Sequence, residues 1–148
     1  MSFAEAFGQL QSAGALVVCS AGNKNRVVDP HFPSDYGACL SVAGIDAATR
    51  RYDHPDYGSN YGPNIDIAAP GASLRVADRN NDFRLGNGTS FAAPHVTAAC
   101  ALFWSANPHL TADQVREAVV TRTMNIDALN PDYVGALGSG LVYLPNLF

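Results

Sequence analysis

From Ser90 to Ala106 the chain runs without a single formally charged residue. Its longest apolar run, Val96 to Trp104, is about half of the ~20 residues that a membrane span needs. A helix apolar nearly all round is buried by its neighbours, so this stretch predicts a central helix of a layered domain. Pro94 lies four residues after Ser90. Without an N–H it cannot bond the Ser90 carbonyl, which leaves the backbone at the serine irregular. Gly88, two residues ahead, permits a close approach of chains just before the helix. Ser90 then sits among free backbone N–H groups, at an end carrying a partial positive charge of about half a unit. Such a place can present a hydroxyl beside a ready anion site, although a serine there also serves as an ordinary N-cap.

The flanking elements alternate, which predicts an α/β fold in one domain over residues 1–148. Ser2 and Glu5 form a capping-box pattern for a short helix that ends near Gly14, with Phe3, Ala6, Phe7 and Leu10 on one face. Ala15 to Cys19 and Cys39 to Ile45 read as strands, the first buried on both faces. Ile65 to Ala68 reads as a third, stopped by Pro70-Gly71. Leu74 to Ala77 and Phe83 to Leu85 read as a hairpin. Thr111 and Gln114 cap a surface helix running to about Arg122, and Gly138 to Leu144 is an extended closing segment.

Nearly half of the 148 residues (47%) are hydrophobic and 15% are charged, a composition that excludes disorder. A net charge of -4 gives no basic footprint for nucleic acid or anionic lipid, and neither is expected as a partner. Cys19, Cys39 and Cys100 make an odd count with no C-x-x-C spacing, so they read as small buried hydrophobes, with a disulfide through Cys39 left open. Asp29, Asp35, Asp46, Asp53 and Asp56 show no EF-hand spacing and read as solvated loop carboxylates, so no metal ligand is assigned. Asn87-Gly88-Thr89 matches the glycosylation pattern by chance overlap. There is no G-x-S-x-G elbow and no G-x-G-x-x-G after a strand.

The segment Gly88-Thr89-Ser90-Phe91-Ala92-Ala93-Pro94-His95-Val96 resembles the nucleophile signature of the subtilase family, with every fixed position met. Further likenesses follow in order: Ala15 to Asn23, ending in Ala-Gly-Asn; Phe32-Pro33; Ser59 to Gly62; Ile65 to Gly71; and Gly138 to Val142. The resemblance implies a three-layer α/β/α subtilisin-like fold with a mostly parallel sheet, of which this chain is the carboxy-terminal part. It implies Ser90 as nucleophile and Asn23 as oxyanion donor of a serine endopeptidase. Ser20, Ala21 and Gly22 would form one wall of the substrate pocket, and His31, Phe32 and Pro33 its floor, with His31 favouring polar or acidic side chains. No cofactor is required; calcium is a structural ion in the family. A secreted or vesicular parent is implied.

Serine acyl transfer needs a base and an acid that orients it. In the family these stand in D-[ST]-G and H-G-T-H contexts upstream of the serine. Neither occurs here, and His95 belongs to the serine motif as a structural residue. The expected partners are therefore a protein or peptide substrate and the amino-terminal part of the same domain, with self-association through a bared strand edge beside Ala15 to Cys19. The chain alone is expected to be inactive. The rival reading is a non-catalytic relative or split piece used for peptide binding or assembly.

Overall fold

The structure, a computed structural model, describes residues 2–27 and 32–148. A capping box does form between Ser2 and Glu5 at the head of α1 (Phe3–Ser12), and Gly14 follows at φ 79°. Next come β1 (Val17–Ser20) and β2 (Cys39–Ile45), the latter apolar apart from Ser41 and buried along its whole length. The chain then makes a small hairpin of β3 (Asp53–His54) and β4 (Tyr57–Gly58), which has no counterpart in the sequence reading. β5 (Ile67–Pro70) is the third expected strand, and β6 (Leu74–Ala77) with β7 (Phe83–Gly86) is the expected hairpin. Two helices follow, α2 (Thr89–Ala106) and α3 (Ala112–Thr121), the second capped by Thr111 and Gln114. Gly138 to Leu144 forms no strand; Leu141 only bridges Ala68 and Met124.

β1, β2 and β5 form a parallel sheet in the order β1-β2-β5, with Val17 beside Cys39 and Val42 beside Ile67. Strand periodicity divides β2 between two cores. Leu40 and Val42 meet Ala92, Val96, Ala99, Cys100 and Phe103 of α2 and Val115 and Val119 of α3. Ala43 and Ile45 point the other way, toward Ile126 and Leu137. The outer side of β5 is covered, because Ala68 donates to Gly140 and accepts from Val142. Among the described residues β1 pairs only with β2 and forms the sheet's edge.

The expected burial of two elements needs correction. In β1 only Cys19 is buried; Val17, Val18 and Ser20 are half-buried, because nothing among the described residues pairs with the outer side of the strand. In α2 only Thr89, Ala92, Val96, Ala99, Cys100 and Phe103 are buried. Its other face, with His95, Ala98, Ala101 and Leu102, is exposed. The sequence reading supposed packing on both sides, and the chain supplies one. All three cysteines are buried free thiols. Burial and the neighbouring Cys19 thiol push Cys39 up to about 12, and burial pushes Cys100 up to about 11.

Candidate active site

Ser90 is exposed in the first turn of α2. Gly88 precedes the helix at φ 135°, a conformation that favours glycine. Its N–H donates to the Gly71 carbonyl at 2.7 Å, which moors the helix start to the end of β5. A Cβ on Gly88 would lie 3.3 Å from both polar atoms of the Asn23 carboxamide. Asn23 therefore lies against the residues immediately before the serine.

Asn23 is aimed by two hydrogen bonds. The backbone N–H of Thr89 donates to Asn23 Oδ1 at 2.8 Å, and the Thr89 hydroxyl donates to the same oxygen at 3.2 Å. With Oδ1 occupied, the carboxamide presents Nδ2 as a donor, and this group has no hydrogen-bond partner among the described residues. The Thr89 hydroxyl oxygen in turn accepts from the Gly22 N–H at 3.1 Å. On the other side Asn60, fully buried, clamps the backbone around Asn23. Its Nδ2 donates to the Ala21 carbonyl at 2.8 Å, its N–H to the Gly22 carbonyl at 2.9 Å, and its Oδ1 accepts from the Lys24 N–H at 2.9 Å. Neither positioning role was read from the sequence. In the sequence Thr89 and Asn60 are only letters of a pattern, and a buried Asn clamp has no local signature.

At the helix start the Thr89 N–H is spent on Asn23 and the Phe91 N–H on the Gly88 carbonyl. The Ser90 N–H is left without a partner among the described residues. A hydroxyl, a backbone N–H and a carboxamide donor thus lie at one helix N-terminus, where partial positive charge favours an anion.

The remaining expected site residues divide. Ser20 and Gly22 are half-buried along the strand that leads to Asn23. Ala21 is fully buried, and its methyl belongs to the second core cluster, so its side chain does not line an open wall. Phe32 and Pro33 sit on the loop after the first strand, with Phe32 half exposed in an aromatic cluster with Phe3, Phe7 and Tyr36. His31 and Asp29 lie outside the described residues.

No histidine comes to Ser90 among the described residues. His95 Nδ1 lies 2.8 Å from the Phe91 carbonyl of its own helix, His54 stacks on Tyr57 at 4.3 Å, and His109 is exposed in a loop. Among the described residues no group of three or more acidic, histidine or cysteine side chains could hold a metal. Asp46 Oδ1 accepts from the Ala48 and Arg50 N–H groups, and Asp53 pairs with Arg51 at 2.8 Å, so these carboxylates are already engaged within the fold. A cleft of about 340 Å³ lined by Asp46, Arg51, Asn130 and Tyr133 includes neither Ser90 nor Asn23. A catalytic groove needs two walls, and among the described residues β1 is the last strand on this side of the sheet.

The sequence profile described as the Subtilase family matches residues 2–139. The chain is 30% identical over 138 residues to Subtilisin Savinase of Lederbergia lenta, covering 93% of this chain and 48% of that protein. It is 34% identical over 114 residues to the Thermostable alkaline protease of Halalkalibacterium halodurans, covering 77% of this chain and 30% of that protein. Among solved structures, one titled as proteases from Pseudoalteromonas arctica PAMC 21717 superposes with a TM-score of 0.83 at 28% identity, over 97% of this chain and 45% of that one. The chain thus spans less than half the length of these relatives. With the sheet, the helix start and the matched profile in agreement, the chain belongs to the subtilase family, the subtilisin-like serine proteases.

Proposed function

We propose that this chain carries the nucleophile and oxyanion half of a serine endopeptidase site. The observation that supports this most is the Asn23 carboxamide, held by Thr89 and lying against Gly88, two residues before Ser90, with its donor unpaired among the described residues. In this reading the Ser90 hydroxyl oxygen attacks the peptide carbonyl and gives its proton to a base. The carbonyl oxygen becomes an oxyanion and takes hydrogen bonds from Asn23 Nδ2 and the Ser90 N–H. These donors act where charge develops, which is what lowers the barrier. Collapse breaks the C–N bond, the proton passes to the leaving amine, and the acyl group stays on Ser90 until water releases it. Ser20, Gly22, Phe32 and Pro33 border the substrate, and no cofactor takes part.

The base and its orienting carboxylate come, in this proposal, from the amino-terminal part of the same domain. That part docks where β1 has a free edge and α2 an exposed face. The 148-residue chain alone then hydrolyses no peptide amide. Supplying a partner with the D-[ST]-G and H-G-T-H segments restores hydrolysis, and Ser90→Ala removes it. Hydrolysis by the isolated chain that Ser90→Ala abolishes would refute the need for a partner. Assembly without any hydrolysis would favour a binding or assembly module. Among the described residues no helix is long and apolar enough to cross a membrane.

A further inference from the structure

We propose that Cys19 and Cys39, with the Ser41 hydroxyl beside them, bind one soft monovalent cation of the Cu(I) class between β1 and β2. The site stands whether or not Ser90 is a nucleophile.

β1 and β2 run parallel, with Val17 beside Cys39 and Cys19 beside Ser41. Register partners in a sheet share a face, and so do residues two apart on one strand. Cys19, Cys39 and Ser41 therefore point to one side of the sheet, while Val18, Leu40 and Val42 turn to the α2 core. Cys100 belongs to that α2 core, on the opposite side. The two thiols are close enough for the Cys19 side chain to hydrogen-bond that of Cys39. Ser41 is fully buried, and its hydroxyl oxygen has no hydrogen-bond partner among the described residues. Buried hydroxyls are nearly always partnered, so this one calls for a ligand from outside the chain.

Thiolate sulfur is a soft donor that suits Cu(I) and discriminates against Mg2+ and Ca2+. A filled-shell monovalent ion is satisfied by two thiolates in a line, so no third acidic or histidine ligand is needed. Two S–H bonds give way to two S–Cu bonds, two protons leave to solvent, and no electron is transferred. The complex then carries one net negative charge. Arg116 offsets it: the guanidinium acts on the Cys39 thiol from a fixed position. It donates to the Gly37 carbonyl at 2.9 Å, the Cys39 carbonyl at 3.2 Å and Asp66 Oδ1 at 2.9 Å. Asp66 acts on Cys39 in the opposite sense, but its oxygens are engaged by Arg116 and by the Ser41 N–H at 2.7 Å. Entry is from the strand edge, where Cys19 keeps 9% exposure against 1% for Cys39. A strand paired on one side opens more readily than one paired on both.

The test titrates the reduced 148-residue chain with Cu(I) under argon, against bicinchoninate as a coloured competitor. One ion per chain should bind, with an ultraviolet thiolate-to-copper charge-transfer band and two protons released. Cys19→Ser and Cys39→Ser should each abolish the band and weaken binding more than roughly a hundredfold, beyond what loss of an outer-shell group costs. Arg116→Gln should keep the band and bind roughly tenfold more weakly. Cys100→Ser should bind like the parent. Far-ultraviolet dichroism checks the fold of each variant. Where a variant does not fold, X-ray absorption at the copper edge of the parent complex decides, and two sulfur neighbours are expected. No stoichiometric binding, fewer than two sulfur neighbours, or binding that survives Cys19→Ser or Cys39→Ser overturns the site and leaves the protease reading intact.

Discussion

The carboxamide oxygen of Asn23 accepts two hydrogen bonds from one residue, Thr89: the backbone N–H at 2.8 Å and the side-chain hydroxyl at 3.2 Å. Thr89 is fully buried, and its hydroxyl also takes the Gly22 N–H at 3.1 Å. Thr89→Val keeps the shape but removes the acceptor for Gly22 and one donor to Asn23. A buried donor left unmatched costs about 1–3 kcal/mol. Urea unfolding should show a loss of that size for Thr89→Val and a smaller one for Thr89→Ser.

Gly71 sits where β5 turns beneath the helix start. A Cβ there would stand 3.0 Å from Gly44 Cα and 3.1 Å from the Gly88 carbonyl oxygen. Both neighbours are backbone and cannot rotate aside. Gly71→Ala should therefore push Gly88 off its mooring and cost about 1–3 kcal/mol, as overpacking does. Chemical denaturation would measure the cost, and loss of hydrogen-exchange protection at the Gly88 amide would locate it.

An unpaired strand edge next to an exposed apolar helix face invites association. Here β1 is the edge, and Leu102 on α2 is 51% exposed. Sedimentation of the isolated chain should show concentration-dependent self-association that Leu102→Glu weakens. A monodisperse monomer at high concentration would contradict this.

The cysteines give the fold an alkaline limit. Burial, with the Cys19 thiol as second cause, raises Cys39 from 9.0 to about 12, and burial raises Cys100 from 9.0 to about 11. Above pH 9 the unfolded chain loses these protons while the folded chain keeps them. Stability is therefore fully present below pH 9 and falls as pH rises through about 11 and 12. The thermal midpoint should drop across that window, and Cys100→Ala should flatten part of the slope.

The elements that were legible carry their own periodicity or caps. Cys39–Ile45 is apolar apart from Ser41, and the Ser2–Glu5 and Thr111–Gln114 boxes mark helix starts from four letters each. The β3–β4 hairpin was not legible. Asp53-His54-Pro55-Asp56-Tyr57 has no apolar alternation, and the structure instead props the hairpin on a buried Arg51. That guanidinium donates to the Ser59 carbonyl at 2.7 Å and to the Tyr133 hydroxyl at 2.8 Å, contacts between segments that no local pattern joins. Ser90 and Asn23 stand out in the sequence because the segments that hold them are long. Thr89 and Asn60, which aim Asn23, act through contacts 66 and 39 residues away along the chain.

The central claim is that Ser90 is the attacking group and Asn23 the donor to the charge it creates. The direct measurement is covalent labelling by a fluorophosphonate, located by mass spectrometry, on the chain assembled with an amino-terminal partner carrying the Asp and His segments. A single adduct on Ser90 is expected, absent in Ser90→Ala. In subtilisin, loss of the corresponding donor lowers turnover about a hundred- to a thousandfold, and Asn23→Ala should slow peptide hydrolysis by a similar factor. An adduct on another residue, or an Asn23→Ala assembly as fast as the parent, would contradict the account.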